Sequence, residues 1–135
     1  PVFVYVITME NHGPLHLETD TDADAARFYE QKPPPGCDDL TIYLRHLRNA
    51  DRMAAMLKDI LTASSRAASL CWYGDHVPIM ESASKALGEP EGQTEYLMWS
   101  SAANSPSPPQ PLDAHELAAS WLRKLGLMQA APGQS

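Results

Sequence analysis

Blocks of apolar residues alternate with polar stretches along the chain, and this pattern predicts an α/β order of elements. Residues 2–7 are apolar or aromatic without interruption, as in a central parallel strand buried on both faces. Two further segments rich in apolar and aromatic residues, 67–73 and 94–99, also predict strands. We therefore expect a small, mainly parallel sheet of three strands that is covered by helices.

A long helix is predicted between the first two strands. Leucine and alanine recur at alternating spacings of three and four from Leu40 to Leu61, which places them on one helix face, and Asp38 or Asp39 can cap its start. Charged residues fall mostly on the other face, where we interpret them as solvated surface charge. These residues are Arg45, Arg48, Asp51, Arg52, Lys58 and Asp59.

Two shorter helices are predicted in the second half of the chain. One covers residues 81–87 and stops at Gly88. The other starts with Asp113 and Glu116 at capping-box spacing and stops at Gly126. The proline-rich residues 100–111 predict a linker, and residues 129–135 predict a disordered tail. We therefore expect one partial domain over residues 1–128, followed by the tail 129–135.

A long polar segment, residues 8–37, separates the first predicted strand from the long helix. It contains an acid-rich stretch from Glu18 to Asp24 and the breaker 32–36, and it predicts a surface loop with a helical turn around residues 25–29. Long loops in compact domains often carry functional residues. The start of this loop, directly after a predicted strand, is therefore a candidate functional region.

Composition restricts the class of partner. The chain has 135 residues, of which 44% are hydrophobic and 20% charged, as is typical of a globular domain. Its formal net charge is -7 and its basic residues form no cluster, which argues against nucleic acid as a partner. Cys37 lies in a Pro/Gly loop and Cys71 in an apolar block. The sequence does not decide whether the two form a disulfide. The apolar surroundings of Cys71 favour its interpretation as a small buried hydrophobe.

Two polar clusters follow predicted strands, where open α/β sheets place their ligand sites. The first is residues 10–14 and the second is residues 74–78. In the second cluster, Asp75 and His76 offer a carboxylate oxygen and an imidazole nitrogen from one turn, a pair suited to Zn²⁺ or Mn²⁺. Taken alone, the pair is more typical of a loop with an Asx-turn. The residues by themselves leave both interpretations open.

The other histidines have ordinary interpretations. His12 is typical of a surface histidine beside a Gly-Pro turn, although it could also donate a proton or a hydrogen bond to a phosphoryl oxygen. Glu10 and Asn11 are adjacent candidates for orienting its ring. His16 is predicted to face solvent, and for His46 and His115 we predict solvated or locally hydrogen-bonded roles.

The chain resembles a known enzyme family in three segments that occur in the same order and spacing. These segments are FVYVITMENHGP at residues 3–14, YLRHLRNAD at residues 43–51 and WYGDHVP at residues 72–78. Together they resemble the C-terminal half of sulfatase-type phosphoglycerol transferases, including lipoteichoic acid synthases, within the alkaline phosphatase and sulfatase superfamily. The resemblance covers residues 2 to about 100.

The resemblance implies a fold and a set of site residues. The fold is the C-terminal portion of an alkaline phosphatase-like α/β/α sandwich. The residues matching Asp75 and His76 bind a divalent cation, commonly Mn²⁺, with Mg²⁺, Zn²⁺ or Ca²⁺ as alternatives. The residue matching His12 contacts the phosphoryl group or head group of the substrate. The family's nucleophile and remaining ligands belong to its N-terminal half, and we nominate no nucleophile in this chain.

The resemblance also implies a function, which we state as an expectation. The parent enzyme would transfer phosphoglycerol to a lipid or glycan of the cell envelope, at the outer face of a bacterial cell membrane. The alternatives are a sulfatase or phosphodiesterase, and a non-catalytic binding or scaffold domain of the same fold.

The chain itself begins in an apolar run without an initiator Met, so we expect it to be part of something longer. By itself it is expected to be inactive without the N-terminal half of the domain. Exposed strand edges and apolar faces would then favour self-association into a homo-oligomer.

Overall fold

The computed structural model of the chain describes residues 2–102 and 110–129. Four α-helices and two β-strands occur among them, with short 3-10 helices at Leu15–Leu17 and Ala114–Glu116. Their mixture of helices and strands confirms the predicted α/β class. The elements in chain order are α1 (Asp22–Phe28), α2 (Asp38–Ala63), β1 (Ser69–Tyr73), α3 (Glu81–Leu87), β2 (Tyr96–Ser100) and α4 (Leu117–Lys124).

The chain divides into two compact units. One unit contains the described residues of Pro1–Leu57 and Asp75–Thr94, and the other contains those of Lys58–Gly74 and Glu95–Ser135. The predicted linker 100–111 is described only at its ends, and the predicted tail 129–135 only at Gln129. The three predicted site residues, His12, Asp75 and His76, all belong to the first unit.

Helix α2 begins at Asp38, as its capping residues and apolar periodicity predict, and it runs for 26 residues. Its first turns are the most buried part of the first unit, because Thr41 and Ile42 are each 1% exposed. The Thr41 hydroxyl donates to the carbonyl of Cys37, and it also lies 3.2 Å from the Tyr29 hydroxyl. These bonds tie the end of the long polar segment to the start of α2.

The polar segment is more ordered than a plain surface loop. The predicted helical turn is confirmed as α1, and Thr21 caps this helix by accepting a hydrogen bond from the Asp24 N–H at 3.1 Å. Gly36 has a φ of +85° and its backbone passes close to α3, where an added Cβ would lie 3.2 Å from the Cβ of Ser82. A glycine at this position therefore allows both the turn and the close approach.

The second unit contains a two-stranded antiparallel sheet. Strand β1 pairs with β2 in the register Ser69 to Ser100 and Tyr73 to Tyr96. Both strands were predicted, but the mainly parallel sheet is not present among the described residues. An apolar run specifies a buried strand without specifying its direction. These strands are in fact only half-buried, so the run was a weak indicator of two covered faces.

The first predicted strand is the clearest error of the sequence interpretation. Residues 2–9 have no regular secondary structure, and the side chains of residues 2–7 are 63–80% exposed. A β-strand exists only when its backbone groups pair with a neighbouring strand, and no described strand pairs with this segment. High β-propensity therefore did not suffice to form the element.

The remaining elements follow the sequence closely. Helix α3 ends at Gly88, whose φ of +101° is in the region that favours glycine. Before α4, the Asp113 N–H donates to the Glu116 carboxylate at 3.3 Å, as the predicted capping box requires. Cys37 and Cys71 are both free thiols. No helix within residues 2–102 and 110–129 combines the length and the apolar character needed to cross a bilayer.

Candidate functional site

Asp75 and His76 follow β1 after Gly74, and their side chains converge. The Asp75 Oδ2 lies 3.5 Å from the His76 Nε2, and both side chains are more than half exposed. The other carboxylate oxygen, Oδ1, accepts the backbone N–H of His76 at 3.0 Å. One oxygen therefore holds the local turn, while the other faces the imidazole.

The backbone also orients the His76 ring. Its Nδ1 lies 3.1 Å from the Val77 carbonyl, and a carbonyl accepts only from a protonated nitrogen. The neutral ring therefore carries its proton on Nδ1 and its lone pair on Nε2, the nitrogen that faces Asp75. This backbone-fixed tautomer is the one that presents a ligand nitrogen to a metal ion.

His12 lies in a turn within the long polar segment. Its backbone N–H donates to the Met9 carbonyl at 3.1 Å, and its Nδ1 donates to the Gly13 carbonyl at 2.6 Å. The ring is thus oriented by its own backbone and not by Glu10 or Asn11, the two residues proposed from sequence for this role. Its Nε2 is the nitrogen left available for a ligand.

The fold brings His12 close to His76. The two ring centroids are 6.3 Å apart with an interplanar angle of 76°, although the residues are far apart in sequence. All three predicted site residues therefore meet in one place on the first unit. This proximity is a property of the fold, since neither sequence cluster encodes it.

The residues present fit a divalent cation as two donors. Two ligands about 2.1 Å from one ion, at a tetrahedral angle, lie about 3.4 Å apart, close to the 3.5 Å between the Asp75 and His76 donors. Within the part of the chain that the structure describes, no group of three or more His, Cys, Asp or Glu side chains is placed to hold a metal ion. Further ligands would have to come from substrate, water or another polypeptide segment.

A second cluster, which sequence reasoning missed, joins the long polar segment to α2. The Glu18 carboxylate binds two α2 residues, with Oε2 accepting from Arg45 at 2.7 Å and Oε1 accepting from His46 Nε2 at 2.9 Å. Arg45 also donates to the Asp24 carboxylate at 3.0 Å and to the Thr19 carbonyl at 3.2 Å. We call Glu18, Asp24, Arg45 and His46 the loop clamp.

The loop clamp corrects two sequence predictions. His46 is buried, at 7% exposure, and hydrogen-bonded to a distant residue, so the prediction of a solvated or locally bonded histidine is wrong. Arg45 is engaged in ion pairs and is not merely a solvated charge. Opposite charges on the acid-rich loop and on the Arg-His pair of α2 were the available signal, but sequence does not say which face of a helix meets which loop.

The charges of the loop clamp shift its pKa values. The pKa of Glu18 is lowered by the hydrogen bond from His46 and then by the one from Arg45. The pKa of Asp24 is lowered by the Thr21 hydroxyl, which donates at 2.8 Å, and then by Arg45. The pKa of the Arg45 guanidinium is raised by Glu18 first and then by Asp24.

A cavity of about 850 Å³ lies beside His12 in the first unit. Asn49 of α2 lines it and donates to the Glu10 carboxylate at 2.7 Å. Residues of the loop clamp line it as well, and the full polar lining is Thr8, Glu10, His12, Glu18, Arg45, His46 and Asn49. The cavity therefore joins the first predicted cluster, through Glu10 and His12, to polar residues of α2.

The comparison with protein families assigns the chain. A family described as Sulfatase matches residues 1–127, which is nearly the whole chain. The chain belongs to the sulfatase family. It is therefore a member of the alkaline phosphatase and sulfatase superfamily, as the resemblance predicted. No curated protein and no solved structure matches the chain significantly.

Membership of the sulfatase family gives the site a chemical context. Proteins of this family are usually enzymes that act on sulfate or phosphate esters, and they are generally dependent on metal ions. The metal dependence of the family is consistent with a carboxylate and an imidazole, Asp75 and His76, as metal donors.

Proposed function

We propose that this chain supplies part of the active site of a metal-dependent phosphoglycerol transferase of the sulfatase family. Asp75 and His76 are two of the metal ligands, with Mn²⁺ as the ion, and His12 contacts the phosphoryl group. The observation that carries the proposal is geometric. A carboxylate and an imidazole face each other at 3.5 Å, and the ring of His12 lies 6.3 Å from that of His76.

The site residues have distinct tasks in this proposal. A bound cation would polarise a phosphoryl oxygen and stabilise the negative charge that develops there. Asp75 provides Oδ2 as a ligand, because Oδ1 is occupied by the His76 N–H. His76 provides Nε2, because Nδ1 donates to the Val77 carbonyl. Because Nδ1 of His12 already donates to Gly13, only the doubly protonated ring has an Nε2–H, which would donate to a non-bridging oxygen or protonate the departing alkoxide.

The same proposal extends to partners and place of action. The ligands beyond Asp75 and His76, and the nucleophile, come from the N-terminal half of the family's domain. The substrate is a phosphoester lipid or glycan of the bacterial cell envelope, and the parent protein acts at the outer face of the cell membrane. Support for these points comes from the resemblance of residues 3–14, 43–51 and 72–78 to the phosphoglycerol transferases.

The metal site can be tested without any catalytic activity. Mn²⁺ is paramagnetic and broadens NMR signals of nearby nuclei, and the ring protons of the chain's five histidines serve as probes. We expect low concentrations of Mn²⁺ to broaden the ring signals of His76 first and those of His12 next. Binding should be weak, because two ligands give only part of the chelate stabilisation of a complete site.

Variants assign the effect to the proposed ligands. Asp75→Ala and His76→Ala should each abolish the selective broadening of His12. His16→Ala, which removes an exposed histidine of the same polar segment, should leave it unchanged. Equal broadening of all histidines in the wild type, or unchanged selectivity in Asp75→Ala, would refute the metal site.

A sulfate-ester or phosphodiester hydrolase is the second candidate, favoured by the description of the matching family. Both candidates use the same metal pair and differ in the acceptor, which is water in the hydrolase. The test is to add glycerol or a glycan acceptor to the parent enzyme. A transferase would attach the transferred group to the acceptor, whereas a hydrolase would form the same products with and without the acceptor. A third candidate, a non-catalytic scaffold of this fold, predicts no selective Mn²⁺ binding.

The chain alone is expected to show no turnover, because it supplies two metal ligands and His12 but no nucleophile. The test is incubation of the 135-residue chain with a generic phosphodiester and Mn²⁺. Turnover that disappears in Asp75→Ala would overturn this expectation and would place a complete site within the chain.

A further inference from the structure

The loop clamp acts on the same stretch of chain that carries His12. Two acidic residues flank His12 in sequence, Glu10 on one side and Glu18 on the other. Both bind α2, Glu10 through Asn49 and Glu18 through Arg45 and His46. Arg45 and Asn49 are four residues apart and therefore lie on one face of the helix. The His12 segment is thus anchored to α2 on both sides.

The local contacts of His12 do not fix its position relative to His76. Its two hydrogen bonds go to Met9 and Gly13, within its own turn. They set the shape of that turn and the direction of the ring, but they move together with the turn. The distance of 6.3 Å to His76 must therefore be set by contacts that join the segment to the rest of the unit.

The loop clamp is the stronger of the two anchors. Arg45 reaches three acceptors, on Glu18, Thr19 and Asp24, through a planar guanidinium whose fixed fork suits several acceptors at once. His46 is buried, and its Nδ1 has no hydrogen-bond partner among the described residues. Its bond to Glu18 therefore orients the ring. By contrast, the Glu10 to Asn49 bond joins two exposed residues.

We propose that Arg45 and His46 are positioning residues, which hold Glu18 on α2 and thereby keep His12 within reach of the Asp75–His76 pair. This inference rests on the proposed role of His12. Neither residue of α2 touches the reacting groups in this scheme. Each acts by restricting the loop that presents the histidine, in the way that a supporting shell fixes a functional side chain.

The test compares the position of His12 in the wild-type chain with that in Arg45→Met. The first readout needs no metal and is the nuclear Overhauser effect between the ring protons of His12 and His76, which we expect in the wild type and expect to be lost in the variant. The second readout is backbone hydrogen exchange. For residues 8–24 we expect exchange to become about 3- to 10-fold faster in Arg45→Met, as for the loss of a few partly exposed charged hydrogen bonds.

Mn²⁺ separates a failure of this inference from a failure of the metal site. In Arg45→Met, the ring signals of His76 should still broaden at low Mn²⁺, whereas selective broadening of His12 should disappear. If the wild type shows no selective broadening, the metal site is wrong, and the metal-free contact between the rings still decides the inference. If His12 keeps its contact with His76 in Arg45→Met, positioning by Arg45 is overturned.

Matched variants exclude a general loss of structure. Arg48→Met removes an exposed arginine from the same helix and should change neither readout. Arg45→Lys should restore part of the His12 contact, because one ammonium reaches fewer of the three acceptors than a guanidinium does. If Arg45→Met does not fold, Glu18→Gln is the substitute, since its one amide oxygen can still accept from His46, whereas its NH2 group cannot accept from Arg45 and the charge is lost. An unchanged His12 contact in a folded Glu18→Gln would also count against the proposal.

Discussion

At the scale of single residues, the backbone prepares the candidate site by leaving specific atoms available. The Val77 carbonyl accepts a hydrogen bond from Nδ1 of His76, and the Gly13 carbonyl accepts one from Nδ1 of His12. One carboxylate oxygen of Asp75 accepts the backbone N–H of His76. The atoms left over are two imidazole nitrogens and one carboxylate oxygen. The Asp75 oxygen and the His76 nitrogen suit a borderline cation, whereas His12 could donate to a phosphoryl oxygen only with both of its ring nitrogens protonated.

The charges of the loop clamp make its stability depend on pH. The folded pKa values of Glu18 and Asp24 lie below their ordinary values of 4.5 and 3.8. Their contribution is therefore fully present above those ordinary values and is lost as the pH falls through the lower folded values. We expect hydrogen-exchange protection of residues 8–24 to be constant near neutral pH and to decrease below about pH 4.

The control for this pH dependence is a second glutamate of the same polar segment. Glu18→Gln should lower protection near neutral pH and flatten its acid decrease, since the variant has one fewer carboxylate to protonate. Glu30→Gln, at an exposed position, should keep the wild-type profile. A profile in Glu18→Gln that matches the wild type would show that Glu18 does not couple the loop to pH.

At the scale of elements, α2 is the helix to which the polar segment and α1 of the first unit are bound. Its first turns are buried through Thr41 and Ile42, its next residues bind the polar segment, and α1 is attached to it through Asp24 and Arg45. Helix α1 has only seven residues, and isolated helices of this length are not stable in water. Its N-cap and its attachment to Arg45 are therefore the contacts on which it depends.

The cap of α1 provides a test at this scale. Thr21→Ala removes the acceptor for the Asp24 N–H and the donor to the Asp24 carboxylate. We expect it to lower the free energy of unfolding by about 1 kcal/mol and to raise the pKa of Asp24. Urea denaturation and NMR titration measure the two effects.

Two variants make the capping test specific. Thr21→Ser retains a hydroxyl and should restore most of the lost stability, while Thr19→Ala keeps the backbone carbonyl that Arg45 uses and should have little effect. Equal stabilities for Thr21→Ala and Thr21→Ser would mean that the cap does not stabilise α1.

At the scale of the whole molecule, the two units differ in the contacts that stabilise each of them. The first contains most of the buried residues, Leu15, Cys37, Thr41, Ile42, His46 and Ala83, whereas the second contains the antiparallel pair of strands and the buried Leu117. Neither set is large. Residues 2–7 are the longest run of consecutive exposed apolar side chains that the structure describes, and exposed apolar surfaces often mark sites of association.

This surface predicts concentration-dependent self-association of the chain. An extended segment of exposed apolar side chains can add as a strand to a strand of another copy. Sedimentation velocity over the micromolar range should therefore show an increase in average mass, and Val4→Lys or Val6→Lys should reduce it. Ile79→Lys changes a single exposed side chain outside this segment and should have no such effect. A monomer at all concentrations would contradict the prediction.

How much the sequence could predict depended on whether the signal was local. Helices α2, α3 and α4 were predicted with nearly correct ends, because caps, glycine stops and apolar periodicity all act within a few residues. Strands β1 and β2 were predicted as elements but not in their direction, since direction depends on a partner far away in the chain. The strand prediction for residues 2–7 was wrong for the same reason, because no partner strand pairs with this segment among the described residues.

The candidate site shows the same division. The sequence by itself determined that Asp75 and His76 would leave one turn together, and it determined the sulfatase family through the residues that carry the resemblance. Only the tertiary structure decided that His12 lies beside His76, that His46 is buried, and that Arg45 binds the acidic loop. The physical reason is that neighbouring side chains share a backbone, whereas distant ones meet only where packing and charge pairing between elements bring them together.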